Sequence, residues 1–247
     1  MFDITVMPDS GQGSAFSYAI LYRPAFAVAA LTVAPEQPVK SDSGAMVSMS
    51  ANIELQSKME GGMWAAMKRG LGGRSAFVST FIAHEQPGEL LLAPSAPGDI
   101  VSLRLAGESY NIAASSYLAS DATLEVDTEW GGGRSFFASD SLFVLQVRGT
   151  GVQLVTSFGA LHQRTLAAGE HYIVDTGHLV AWHSGMAYAI RKVTRSLFRS
   201  MTSGEVLVAD FTGPGTLLLQ TRNLSAFADD LTPYLPHNTS SGSGGSQ

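Results

Sequence analysis

The chain has 247 residues, of which 45% are hydrophobic and 15% charged, with 26 glycines, 10 prolines and no cysteine. It is long enough to bury a sizeable core, and without cysteine it has no disulfides, thiolate catalysis or thiolate metal sites. A net charge of −6, with no run of lysine or arginine, offers no footprint for a phosphate backbone and so argues against nucleic acid.

The N-terminal stretch MFDITVMPDSG has neither a basic leader segment nor an apolar one, and nowhere do about 18 apolar residues run together. A cytoplasmic protein is expected, with peripheral contact to a membrane surface left open. Residues 2–7 and 25–33 read as strands. They precede the first repeat and are expected to close against the last one.

Three phrases then recur along the chain. Arg-Ser-x-Phe stands at Arg74, Arg134 and Arg195, at intervals of 60 and 61 residues. Ala-x-Glu stands at Ala34, Ala106 and Ala168, as APEQ, AGES and AGEH. A glycine between two apolar runs falls at Gly88, Gly151 and Gly215. Agreement on a period near 62 residues predicts one supersecondary unit built three times. The first Ala-x-Glu interval, 72 residues, is about ten longer than the rest, and GGMWAAMKRGL (residues 61–71) fills the excess as an insertion of about two helical turns.

Within a repeat the hydrophobic period is two. DIVSLRLAG sets Val101, Leu103 and Leu105 against Ser102 and Arg104. ATLEVDTEW sets Ala122, Leu124, Val126 and Trp130 against Thr123, Glu125, Asp127 and Glu129, so one face meets a core and the other meets water. The glycine of each AGE follows such a run, where a tight turn asks for positive φ. After LLLQTRN, LSAFADDL (residues 224–231) reads as a short helix capped by Asn223 or Ser225. Residues 237–247 are Gly/Ser-rich and are expected to form a disordered tail.

The prediction is an all-β fold: a single domain over residues 1–236, with three repeats near 31–102, 103–164 and 165–223 and N-terminal strands over 1–30. Each repeat buries its apolar face only against its neighbours, so the three are expected to close around a pseudo-threefold axis.

The stretches GAMVSMS (44–50), GGMWAAMKRGLGGRSAF (61–77), TGHLVAW (176–182) and, most specifically, SGEVLVADFTGPGTLLLQTRN (203–223) resemble the Altered Inheritance of Mitochondria family, twenty-fourth member. The resemblance spans roughly residues 25–223 and implies a triplicated β fold of the trp RNA-binding attenuation protein type, a short double-stranded β-helix. It implies no established reaction. Fungal relatives are associated with inner-membrane organisation. SGEVLV departs from the more usual SGEGLV of the family. The RNA-binding ring of basic side chains is not carried over, because this chain is acidic and repeats no lysine.

Threefold repetition can bring Arg74, Arg134 and Arg195 toward the axis as an anion site, although each can equally pair within its own repeat. Met63, Trp64, Met67 and Leu71, beside Lys68 and Arg69, offer an interface, a lipid contact or a cap on the core. His84, His162, His171, His178 and His183 lack the His-x-His spacing of a cupin metal site, and no serine sits in a nucleophile elbow. Glu36, Glu108 and Glu170 recur as turn residues. The expected function is therefore a non-enzymatic scaffold or interaction protein without cofactor or metal, forming a homo-oligomer, with a trimer among the options, and with an unknown protein partner. The alternative is a small-ligand or anion binder using the axial arginines.

Overall fold

In the computed structural model, residues 2–42, 44–56, 78–128, 143–193 and 206–235 are described. Among them the chain is mostly β-sheet with one short helix. Three strands lead in: β1 (Thr5–Val6), β2 (Ser10–Gln12) and β3 (Phe16–Leu21). A first group follows, made of β4 (Val28–Val33), β5 (Pro38–Asp42), β6 (Met46–Met49), β7 (Ile53–Gln56), β8 (Val78–Ala83) and β9 (Gly88–Leu92). A second group contains β10 (Ile100–Ala113), β11 (Tyr117–Asp121), β12 (Glu125–Thr128) and β13 (Val144–Thr156). The third holds β14 (Leu161–Leu166), β15 (His171–Asp175), β16 (Leu179–His183), β17 (Ala187–Val193), β18 (Val206–Thr212) and β19 (Gly215–Gln220), and ends in helix α1 (Leu224–Leu231).

One antiparallel pairing scheme occurs in all three groups. In the first, β9 lies between β4 and β6, and β8 lies between β5 and β7. In the third, β19 lies between β14 and β16, and β18 between β15 and β17. The second group reaches the same scheme with two long strands. Residues 100–106 of β10 pair with 150–156 of β13, and residues 109–113 pair with 144–148. β11 adds to the later part of β13 and β12 to the earlier part. Even an irregularity recurs: the register slips by one residue between Met46 and Ser48, between Tyr117 and Ala119, and between Leu179 and Ala181.

Apolar alternation drives these strands. In β3, Phe16, Tyr18 and Ile20 are buried while the intervening residues are not. They pack with Leu31, Val33, Leu90 and Leu92 on one layer, against Val39, Phe81, Leu118 and Leu154 on the other. A second core gathers Leu103, Leu105, Tyr110, Ile112, Val147 and Leu218. A third gathers Trp182, Phe211, Leu217 and Leu219 with Tyr172 and Tyr188 packed against it.

Four expectations change. Ser102, expected on the water face, is fully buried, because Tyr18 covers it and the two hydroxyls lie 2.7 Å apart. Gly107 does not end a strand: with φ of 109° it sits in a register shift inside β10, whereas Gly169, with φ of 75°, does make the expected turn. β1 pairs with β10, in the middle of the chain, and only the segment before it touches the third group, where Thr216 N–H donates to the Phe2 carbonyl at 2.9 Å. The strand expected over residues 25–33 does not meet the last group either, since β4 pairs with β3 from Val28 and with β9 from Ala29. The C-terminal helix stands where the sequence places it, and of the two possible caps Asn223 is used, its Oδ1 accepting from Ser225 N–H at 2.9 Å and Ala226 N–H at 3.3 Å.

Candidate functional site

The groups are joined by strands from different groups. β11 lies between β13 of its own group and β5 of the first, with Ala119 opposite Ser41, Ser120 opposite Lys40 and Asp121 opposite Val39. β16 lies between β19 of its own group and β10 of the second, with Ala181 opposite Ile112, Trp182 opposite Asn111 and His183 opposite Tyr110. Two joints of one kind therefore hold three groups together.

Each joint needs one strand of each type, and one of each is left over. Among the described residues β6, the counterpart of β11 and β16, pairs only with β9, and β15, the counterpart of β5, pairs only with β18. The consequence is large. All five residues of β11 are buried and four of five in β16, whereas all four of β6 are exposed. Met46 is 38% exposed, Val47 56%, Met49 38% and, on β15, Ile173 59%.

An edge strand presents unpaired N–H and C=O groups, and solitary domains blunt such edges with lysine, proline or a disruptive bulge. β6 reads MVSM and β15 reads HYIVD, so neither carries lysine or proline. The register slip in β6 offers no protection, because β11 and β16 carry the same slip and still accept a second neighbour. Charge beside β15 is balanced locally: the nearly buried Asp210 pairs with Arg191, and His171 Nδ1 lies 3.4 Å from its carboxylate.

Several buried polar groups tie strands together. Asp121 is fully buried and accepts N–H bonds from Ser14, Ala15 and Val152 at 2.8–3.1 Å, which fastens the N-terminal hairpin to β13. Arg23 donates from Nε and Nη2 to Asp99 at 2.7 Å, and that contact holds its guanidinium above the ordinary range. Burial pushes the Tyr110 hydroxyl up to about 12, with Glu108 close by adding to the effect. Glu108 and Glu170 accept from the backbone N–H of Ala106 and Ala167, so these recurring carboxylates brace their own turns.

Arg74, Arg134 and Arg195 lie outside the described residues, and so do Met63, Trp64, Met67, Lys68, Arg69 and Leu71. Where the groups meet there is a cavity of about 40 Å³, lined by Asp42, Ser95, Ser115, Ser157, Gln220 and Leu224, which has room for a few water molecules. Among the described residues no set of three or more His, Asp or Glu side chains is arranged to hold a metal ion. No described helix is long and apolar enough to cross a membrane. The open edges themselves escape sequence reasoning, although MVSM inside GAMVSMS is an apolar run without a charge. What exposes it is the lack of a neighbour, and that is a property of topology.

Comparison with known proteins agrees with this architecture. An uncharacterised protein of Streptococcus pyogenes is 32% identical over 202 residues, covering 78% of this chain and 80% of that one. The crystal structure of a Streptococcus pyogenes protein superposes with a TM-score of 0.72 at 30% identity, covering 89% of this chain and all of the other. The model of the family described as mitochondrial biogenesis AIM24 matches residues 18–222, and the chain belongs to that family.

Proposed function

We propose that this protein is a non-catalytic scaffold: three copies of one β unit, of the short double-stranded β-helix type, joined in series rather than closed around the expected threefold axis, that bind protein through open strand edges. Support for the triplication comes from the recurring ladder scheme and its recurring slip. The observation that carries the functional reading is the exposure of β6, an apolar strand whose two counterparts are paired and buried. Strand addition to such an edge supplies main-chain hydrogen bonds for affinity and alternate side chains for specificity. Nothing in the described geometry favours a reaction over this role. The anion-binding alternative depends on Arg74, Arg134 and Arg195, and the cavity at the meeting of the groups suits water better than a ligand.

A labelled peptide copying residues 169–177, the β15 strand with its flanks, tests the reading. Saturable binding that Met49→Lys weakens by roughly tenfold or more supports it. No peptide binding, together with amide exchange across β6 in the free chain as slow as across β11, refutes it.

A further inference from the structure

The reading above leaves the partner open, and the following inference rests on it. We infer that the occupant of β6 is β15 of a second copy of this chain, joined head to tail in the register of the two internal joints. Three observations converge on this.

First, the chain already contains the joint twice. A strand of the β5 type meets a strand of the β11 type at β5 with β11, and again at β10 with β16. The leftover edges are one of each type, so they are complementary halves of a contact whose geometry the fold has already realised.

Second, the register can be carried over residue by residue. In the internal joints Val39 and Tyr110 occupy one position, opposite Asp121 and His183; Lys40 and Asn111 the next, opposite Ser120 and Trp182; Ser41 and Ile112 the third, opposite Ala119 and Ala181. Pairing to β8, β13 and β18 makes Tyr172, Ile173 and Val174 the equivalents on β15, because Val39, Tyr110 and Tyr172 face Phe81, Val147 and Phe211. Pairing to β9, β13 and β19 makes Ser48, Met49 and Ser50 the equivalents on β6, where the laddered pairs are Ser48 with Leu91 and Met49 with Leu90. The third joint therefore sets Ser50 opposite Tyr172, Met49 opposite Ile173 and Ser48 opposite Val174.

Third, that register matches exposure. Met49 and Ile173, 38% and 59% exposed, become direct cross-strand neighbours and cover one another. A slip of one residue would turn both side chains toward the wrong partners, so the apolar match is specific to this alignment.

The contact is heterologous: each copy gives β15 to one neighbour and receives on β6 from another, or two copies exchange both edges and close a ring. No edge of these two types then remains open.

Because the chain has no cysteine, introduced thiols report alone. Met49→Cys and Ile173→Cys chains are prepared separately, mixed and mildly oxidised, with Tyr22→Cys, 74% exposed just after β3 and on neither open edge, replacing either one as control. The expected result is a disulfide-linked dimer in the Met49→Cys and Ile173→Cys mixture, at least about tenfold more abundant than in either chain alone or in the control mixtures. A Met49→Cys homodimer of equal yield overturns the head-to-tail arrangement. A chain carrying both cysteines that closes within itself at high dilution overturns the second copy as partner while leaving the edges competent. No cross-link in any mixture overturns the inference, and peptide binding then decides separately whether the edge accepts a strand. Sedimentation of the unmodified chain supplies an independent reading: a monomer at all concentrations, or an assembly unaffected by Ile173→Lys, counts against the joint.

Discussion

Two strands of the molecule, β6 and β11, hold the same place in their groups and meet opposite fates. β6 is Met-Val-Ser-Met and lies in water; β11 is Tyr-Leu-Ala-Ser-Asp and is wholly buried, its aspartate included. Hydrophobicity read along the chain would have ranked them the other way. A buried Asp121 is tolerable because three backbone N–H groups from β13 and the N-terminal hairpin converge on it. An exposed MVSM is costly only while no neighbour arrives. What separates the two strands is a second neighbour rather than composition, and a strand with the composition of an interior one and the exposure of an edge is a strand awaiting a partner.

The sharpest way to break this contrast is to truncate equivalent residues. Trp182 and Met49 occupy the same position in their groups, one fully buried against Phe211 and Tyr188, the other 38% exposed. Trp182→Ala is expected to cost about 3–5 kcal/mol, a fall in Tm of roughly 6–20 °C. Met49→Ala, measured in dilute solution, should stay within about 0.5 kcal/mol. Equal losses would mean that β6 is covered within the single chain, and the argument for an open edge would fail.

A smaller effect sharpens the same comparison one residue along. Asp121, Ser50 and His183 are again equivalent, and each does a different job: Asp121 gathers three N–H groups, Ser50 Oγ accepts from Glu89 N–H at 2.9 Å, and His183 Nδ1 accepts from Gly185 N–H at 2.9 Å. Asp121→Ala strands buried donors and should destabilise by about 3 kcal/mol or more, whereas Ser50→Ala should cost under about 1 kcal/mol. Chemical denaturation of both variants checks the ranking. If Ser50→Ala matched Asp121→Ala, the first group would be as closed as the second.

The residues explain why part of this was legible in the sequence and part was not. Gly88 and Gly215 open strands β9 and β19 and Gly169 makes a turn, which are local demands of backbone conformation, so the β class followed from them directly, whereas Gly151 lies inside the unbroken strand β13. LSAFADDL behind Asn223 is likewise local, and its helix was legible, with Asn223 as one of two candidate caps. Ser102 misled because a period of two assumes one wet face, whereas β10 has Tyr18 lying over its other side. The edges were hidden for a deeper reason: that β6 has one neighbour while β11 and β16 have two depends on strands far away in sequence, at a distance no window along the chain can sense. Local patterning specifies strands, while their neighbours are specified by the whole fold.

The weakest expected effect concerns how far the first group has diverged from the other two. Its turn glutamate does not brace its own turn as Glu108 and Glu170 do; Glu36 instead reaches His84 Nδ1 at 3.2 Å, while Glu54 on β7 takes the other ring nitrogen at 2.9 Å. The hydrogen bond to Glu54, followed by that to Glu36, raises the His84 pKa above its ordinary 6.5. A raised folded-state value means that the stabilisation is complete below the unfolded value and is lost as pH climbs through the folded one. His183 has the opposite sign: burial lowers its pKa, so the folded state resists protonation and loses stability as pH falls below about 6.5. Glu54→Gln should therefore bring the His84 ring titration, followed by NMR, down toward 6.5 and leave His183 unmoved. Thermal melts of the same variant should lose the decline seen on the alkaline side of His84 and keep the decline on the acid side of His183. A His84 titration unchanged by Glu54→Gln would mean that this carboxylate does not hold the ring, and that the first group differs from the others at its open strand but not at its turn.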